Sequence, residues 1–93
     1  MSERVVTVGS KVGLHARPAA LFVKAASAQP VAVKIAKRGG KPVDARSILS
    51  VLALDARGGD EVVLFADGEG AEDALEALAT LVSTDLDSPQ NGG

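Results

Sequence analysis

The 93-residue sequence has no cysteine, tryptophan or tyrosine, and it has a single histidine. Without cysteine, neither a disulfide framework nor a thiolate metal site is possible. Phe22 and Phe65 are the only aromatic residues, so a surface built on base stacking is poorly supplied. Basic residues number 10 and acidic residues 12, and the longest Lys/Arg cluster is "KR" at 37–38. Phosphate-backbone binding shows as a basic stripe, and none is present; nucleic acid is not an expected partner. No apolar run approaches the roughly 20 residues that span a bilayer, and "MSERVVTV" lacks the apolar core of a secretory signal. A soluble, cytoplasmic domain without direct membrane insertion is the expectation.

Metal and cofactor chemistry find little support. With one histidine and no thiol, a zinc site would rest almost wholly on carboxylates. Asp55, Asp60 and Asp67 read as loop and cap residues, because no spaced Ca²⁺ loop surrounds them. "GEG" at 68–70 is too short for a dinucleotide fingerprint. No cofactor and no metal are expected.

What is present is 46% apolar residues, enough for one small core. "SERVVTV" (2–8) is β-branched and reads as a strand. Two glycines in "GSKVG" (9–13) turn the chain, and a helix is expected over 18–27. "VAVKIAK" (31–37) alternates with period 2, with Val31, Val33 and Ile35 on one face. After "RGG", the segment "KPVDA" (41–45) can return as a hairpin arm, with Pro42 at an edge or strand start. "SILSVLAL" (47–54) fits a two-turn helix with Ser47 as its N-cap. "EVVLFAD" (61–67) is the most strand-like stretch, with Val62, Leu64 and Ala66 on one face. "GEGAEDALEALATLV" (68–82) holds the clearest helix, with Ala71, Ala74, Leu75, Leu78, Leu81 and Val82 on one stripe and an acidic first turn.

The order is therefore βαββαβα, an α+β open-faced sandwich whose antiparallel sheet carries its helices on one face. One domain is expected over 1–83, followed by a frayed tail over 84–93. Nothing in the sequence demands more than a monomer.

His15 is the most informative residue. Pro18 suits a first helical turn, where its missing N–H removes no bond. The residue before a proline avoids the α region, so Arg17 is a candidate cap. His15 then lies within one turn of the helix start, where backbone N–H groups converge and the local field is positive. Those donors, together with Arg17, suit a phosphate, and positive surroundings favour the neutral imidazole that a nucleophile requires. A surface or capping histidine is the bland alternative. A hydrolase using His15 as general base is another, but it needs a pocket and a second catalytic group that the sequence does not reveal.

"GLHARPA" (13–19) resembles the phosphorylation-site signature of HPr, the histidine-containing phosphocarrier family of the phosphoenolpyruvate-dependent sugar phosphotransferase system. "GKPVDARSILSVLALD" (40–55) is similar to that family's second signature, which surrounds a regulatory serine. The similarity runs from about residue 3 to 83. It implies a four-stranded antiparallel sheet with three helices on one face. It implies a phosphoryl carrier rather than an enzyme, taking the group on His15 Nδ1 from enzyme I and passing it to sugar-specific IIA proteins or domains.

By the same resemblance, Arg17 neutralises the phosphoryl oxygens, with Ala16 and Pro18 supporting the phosphate. Ser47 is the serine phosphorylated by an ATP-dependent kinase in many Gram-positive relatives, and that kinase and transcriptional regulators are further partner classes. Ile48 and Leu49 match apolar docking positions; Leu52, Ala20 and Lys24 complete the expected docking face. Val12 replaces an often polar residue near the active centre, and Arg46 replaces a common lysine before the serine. A regulatory module acting mainly through Ser47 is the alternative reading.

Overall fold

The computed structural model describes residues 1–84. Apart from Thr84, the tail expected over 84–93 lies outside them. Four strands and three helices follow in the expected order: β1 (Ser2–Thr7), α1 (Ala16–Ser27), β2 (Val33–Lys37), β3 (Val43–Asp44), α2 (Ile48–Ala53), β4 (Glu61–Ala66) and α3 (Ala71–Ser83). The strands form one sheet in the order β1-β4-β2-β3, and every neighbouring pair is antiparallel. β4 is central because both its edges are used: Leu64 lies opposite Arg4 on one side and Ile35 on the other.

The period-2 pattern decides which face is covered. Val62, Leu64 and Ala66 of β4 and Val33 and Ile35 of β2 are buried, whereas Val5 of β1 is exposed on the open face. α3 packs on β1 and β4, and α1 bridges α3 and α2. Phe22 of α1 is fully buried among Leu14, Val51, Leu75 and Leu78 in one core cluster. Each such side chain contributes about 1.5–3 kcal/mol by leaving water.

Most elements are slightly shorter than the sequence suggests, β3 being only Val43–Asp44 within the expected 41–45, and three further differences bear on the packing and the site. β2 begins at Val33 rather than Val31, because its partner β4 ends at Ala66, opposite Val33. On α3 the buried stripe includes Ala79, while Leu81 is only partly covered. α1 begins at Ala16, two residues before the expected start, with His15 rather than Arg17 as its N-cap. The cause is local: Ala16 takes φ +50°, which turns the chain into the helix one residue after the histidine.

Candidate functional site around His15

Two loops build the site by lying directly on one another. Gly13 has φ +77°, and a Cβ placed there would lie 2.1 Å from the Ala56 carbonyl oxygen. Only glycine permits both that backbone and that approach. The next amide, Leu14 N–H, donates to the Ala56 carbonyl at 2.8 Å, and the Leu14 side chain is buried in the core. His15 therefore leaves a loop clamped to residue 56, and it meets the residue just before it.

That residue is Asp55. His15 Nε2 lies 3.0 Å from Asp55 Oδ1, with the histidine side chain 38% and the aspartate 53% exposed. Arg57 Nη2 donates to the other oxygen, Oδ2, at 3.2 Å. The Arg57 guanidinium, and after it the His15 ring, hold the Asp55 carboxyl below its ordinary carboxylate range. Asp55 also has φ +52°. Ala16 and Asp55 are the only non-glycine residues with left-handed backbone among those described, and they sit on either side of this one contact. A left-handed conformation raises the energy of an L-residue by on the order of 1 kcal/mol.

The helix mouth is sparse. The His15 carbonyl accepts from the Ala19 amide at 3.5 Å, as an N-cap carbonyl does. Pro18 has no N–H and is buried, and Ala16 and Arg17 complete the first turn ahead of it. Both are exposed. The His15 side chain caps no amide of its own helix.

The second expected site lies one short helix away. Ser47 is the N-cap of α2, its Oγ accepting from the Ser50 N–H at 3.3 Å. Behind it the Arg46 amide donates to Asp44 Oδ1 at 2.9 Å. Within α2, Val51 points into the core, Leu52 is half-buried, and Ile48 and Leu49 are 39% and 77% exposed. Val12, before the His15 loop, is 51% exposed. Ala20 and Lys24 are exposed on α1, which packs against α2. The six residues of α2 span about 9 Å, so Ser47 and Asp55 bracket one rod whose far end meets His15.

Asp55 is the residue that sequence reasoning passed over. The sequence marks it as a loop or cap residue; it is a loop residue, but one that engages the imidazole across 40 positions of sequence. The only local signal is its position one residue beyond the α2 C-cap, Leu54. Two open concavities, at Thr7, Lys37, Arg38, Gly59, Asp60 and Glu61 and at Met1, Ala32, Lys34, Phe65, Ala66 and Asp67, do not include His15. Among the described residues no three His, Asp or Glu side chains cluster to hold a metal ion, and no helix is long and apolar enough to cross a membrane.

Residues 2–84 match the family model described as the PTS HPr component phosphorylation site. The chain is 59% identical over 87 residues to the phosphocarrier protein HPr of Streptomyces coelicolor, covering 94% of each. It superposes on the crystal structure of HPr-C-His from Thermoanaerobacter tengcongensis with a TM-score of 0.86 and 37% identity, covering 97% of this chain and 100% of that one. The solution structure of Crh, described as the Bacillus subtilis catabolite repression HPr, is also similar, with a TM-score of 0.68 and 42% identity over 91% of this chain and all of that one.

Proposed function

The chain belongs to the HPr family of the phosphotransferase system, and from that membership we propose that His15 is its phosphoryl-accepting residue. The observation that carries the reading is the placement of the ring: half-exposed, at the N-cap of α1, and, among the described residues, held through Nε2 alone. Phosphohistidine of enzyme I donates, and a histidine of a sugar-specific IIA protein or domain receives. Both partners must reach the same nitrogen in line, which an exposed helix mouth allows and a deep pocket would not. The Arg17 guanidinium and the N-terminal end of α1 balance the charge of the phosphoryl oxygens.

The rest of the machinery comes from the partners, so the protein acts as a monomeric cytoplasmic carrier over residues 1–83 rather than as an enzyme. Docking falls to Ile48, Leu49 and Leu52, with Ala20 and Lys24 of the adjoining helix, an interface small enough to be transient. The test is direct. Incubated with enzyme I, Mg²⁺ and labelled phosphoenolpyruvate, the wild type takes up acid-labile label and His15→Ala takes up none. An unlabelled wild type, or a labelled His15→Ala, overturns the reading.

A second output has its own support. The Ser47 hydroxyl sits at a helix N-terminus beside exposed Ile48 and Leu49. Phosphate there adds nearly two negative charges, which the helix end tolerates but an apolar docking face does not. Phosphorylation by a serine kinase would thus retune docking without dismantling the fold, and transcriptional regulators are the partner class such a mark suits. Mass spectrometry of protein from its native cells, searched for acid-stable phosphate on Ser47, decides whether the site is used.

A further inference from the structure

A carboxylate can only accept hydrogen bonds. Asp55 is pulled toward its ionised form by Arg57, so the 3.0 Å contact between His15 Nε2 and Asp55 Oδ1 requires a proton on Nε2. In the neutral ring the lone pair then lies on Nδ1, and the His15 side chain caps no amide of α1. The carboxylate itself is fixed from behind: Arg57 Nη2 holds Oδ2, and the Arg57 amide donates to Asp60 Oδ2 at 2.9 Å. Holding an aspartate at φ +52°, where glycine would be unstrained, is a local expense that the contact with His15 accounts for.

We propose that Asp55, steadied by Arg57, is a positioning residue that keeps the proton on His15 Nε2 and thereby selects Nδ1 as the nitrogen that takes the phosphoryl group. This rests on the carrier reading of His15.

The transfer then balances without moving a proton. The Nδ1 lone pair forms the new N–P bond as the bond between phosphorus and the donor imidazole breaks, and that electron pair stays on the donor ring. The His15 ring, now bonded to phosphorus at Nδ1 and still carrying hydrogen on Nε2, has gained positive charge. The Asp55 carboxylate sits against that N–H and compensates it. On the onward step the N–P electron pair returns to Nδ1 and the ring is neutral again, its Nε2–H never having left Asp55. The charged groups set against the ring are Asp55 itself and Arg57 behind it, and Arg17 follows in the first turn of α1.

The experiment compares wild type with Asp55→Gly and Asp55→Asn. Glycine suits the backbone at this position, and asparagine tolerates it while keeping an acceptor oxygen, so both variants are expected to fold. Long-range ¹⁵N–¹H correlation spectra of the His15 ring report which nitrogen carries hydrogen. Wild type is expected to show protonated Nε2 and bare Nδ1, with slow Nε2–H exchange. Asp55→Gly is expected to shift toward an averaged pair of nitrogens with faster exchange, and to slow phosphoryl uptake from enzyme I by about two- to fivefold, the scale of one exposed charge contact. Asp55→Asn should restore the wild-type ring pattern while remaining slower in transfer.

If the wild type is phosphorylated on His15 but Asp55→Gly leaves both ring spectrum and uptake rate unchanged, this inference falls alone. If enzyme I places no phosphate on His15 of the wild type, the carrier reading falls and takes it along.

Discussion

The amide of Leu14 and the carbonyl of Ala56 are joined by a 2.8 Å hydrogen bond, which locks the residue before His15 to the residue after Asp55. Gly13 makes that bond possible. Gly13→Ala is expected to destabilise the fold by at least about 1–3 kcal/mol from its left-handed backbone alone, with more from the overlap on the Ala56 carbonyl. Urea unfolding measures the first effect. The same variant should lose the His15–Asp55 contact, seen as a changed ring spectrum, before it loses secondary structure.

Ser47 offers a cleaner separation of stability from docking. Ser47→Ala removes the oxygen that accepts from Ser50 and is expected to lower stability by about 1 kcal/mol. Ser47→Asp keeps a capping acceptor at the positive helix end, so its unfolding midpoint should stay near wild type. Its charge nevertheless lies beside Ile48 and Leu49, and the KM of enzyme I for the carrier should rise. A Ser47→Asp protein that unfolds early but docks normally would reverse this assignment.

Leu49 contributes little to the core, being 77% exposed. Leu49→Ala is therefore expected to change stability by no more than about 0.5 kcal/mol. As a docking residue it should raise the KM for phosphoryl uptake by about five- to tenfold, the scale of a side chain central to an interface. Steady-state transfer assays with enzyme I measure this; an unchanged KM places the docking surface elsewhere.

The pH dependence of the His15–Asp55 pair follows from the aspartate. Its carboxyl titrates below the ordinary range because of Arg57 first and His15 second. A group depressed in the folded state stabilises fully above its unfolded pKa, and that contribution disappears as pH falls through the folded value. The contact should thus be intact at neutral pH and lost only in acid. ¹³C NMR of the Asp55 carboxyl is expected to show its midpoint moving up in Arg57→Ala, and by less in His15→Ala. A larger shift in His15→Ala would invert the order of the two causes.

The sequence and the structure agree where a physical signal is periodic and local. The alternation in 61–66 and the stripe in 71–82 follow from which side chains must leave water, and Ser47 was readable as a cap from its side chain alone. The start of α1 was not, because Ala16 enters it at φ +50°, a conformation that alanine does not advertise; proline at 18 pointed instead to Arg17. The positive surroundings expected for His15 were half the picture. Asp55 supplies the opposite charge across 40 residues, and no spacing rule links those positions. Gly13 read only as a turn, although its lack of a Cβ is what lets the two loops touch.

The length of α2 now takes on a different meaning. One extra residue in that helix would rotate all that follows by about 100° and advance it about 1.5 Å, carrying the Asp55 carboxylate off the imidazole while leaving Ser47 where it stands. The helix is thus a spacer whose register is dictated from both ends. Natural or engineered insertions should be tolerated at the turn over 38–40 long before they are tolerated between Ile48 and Leu54.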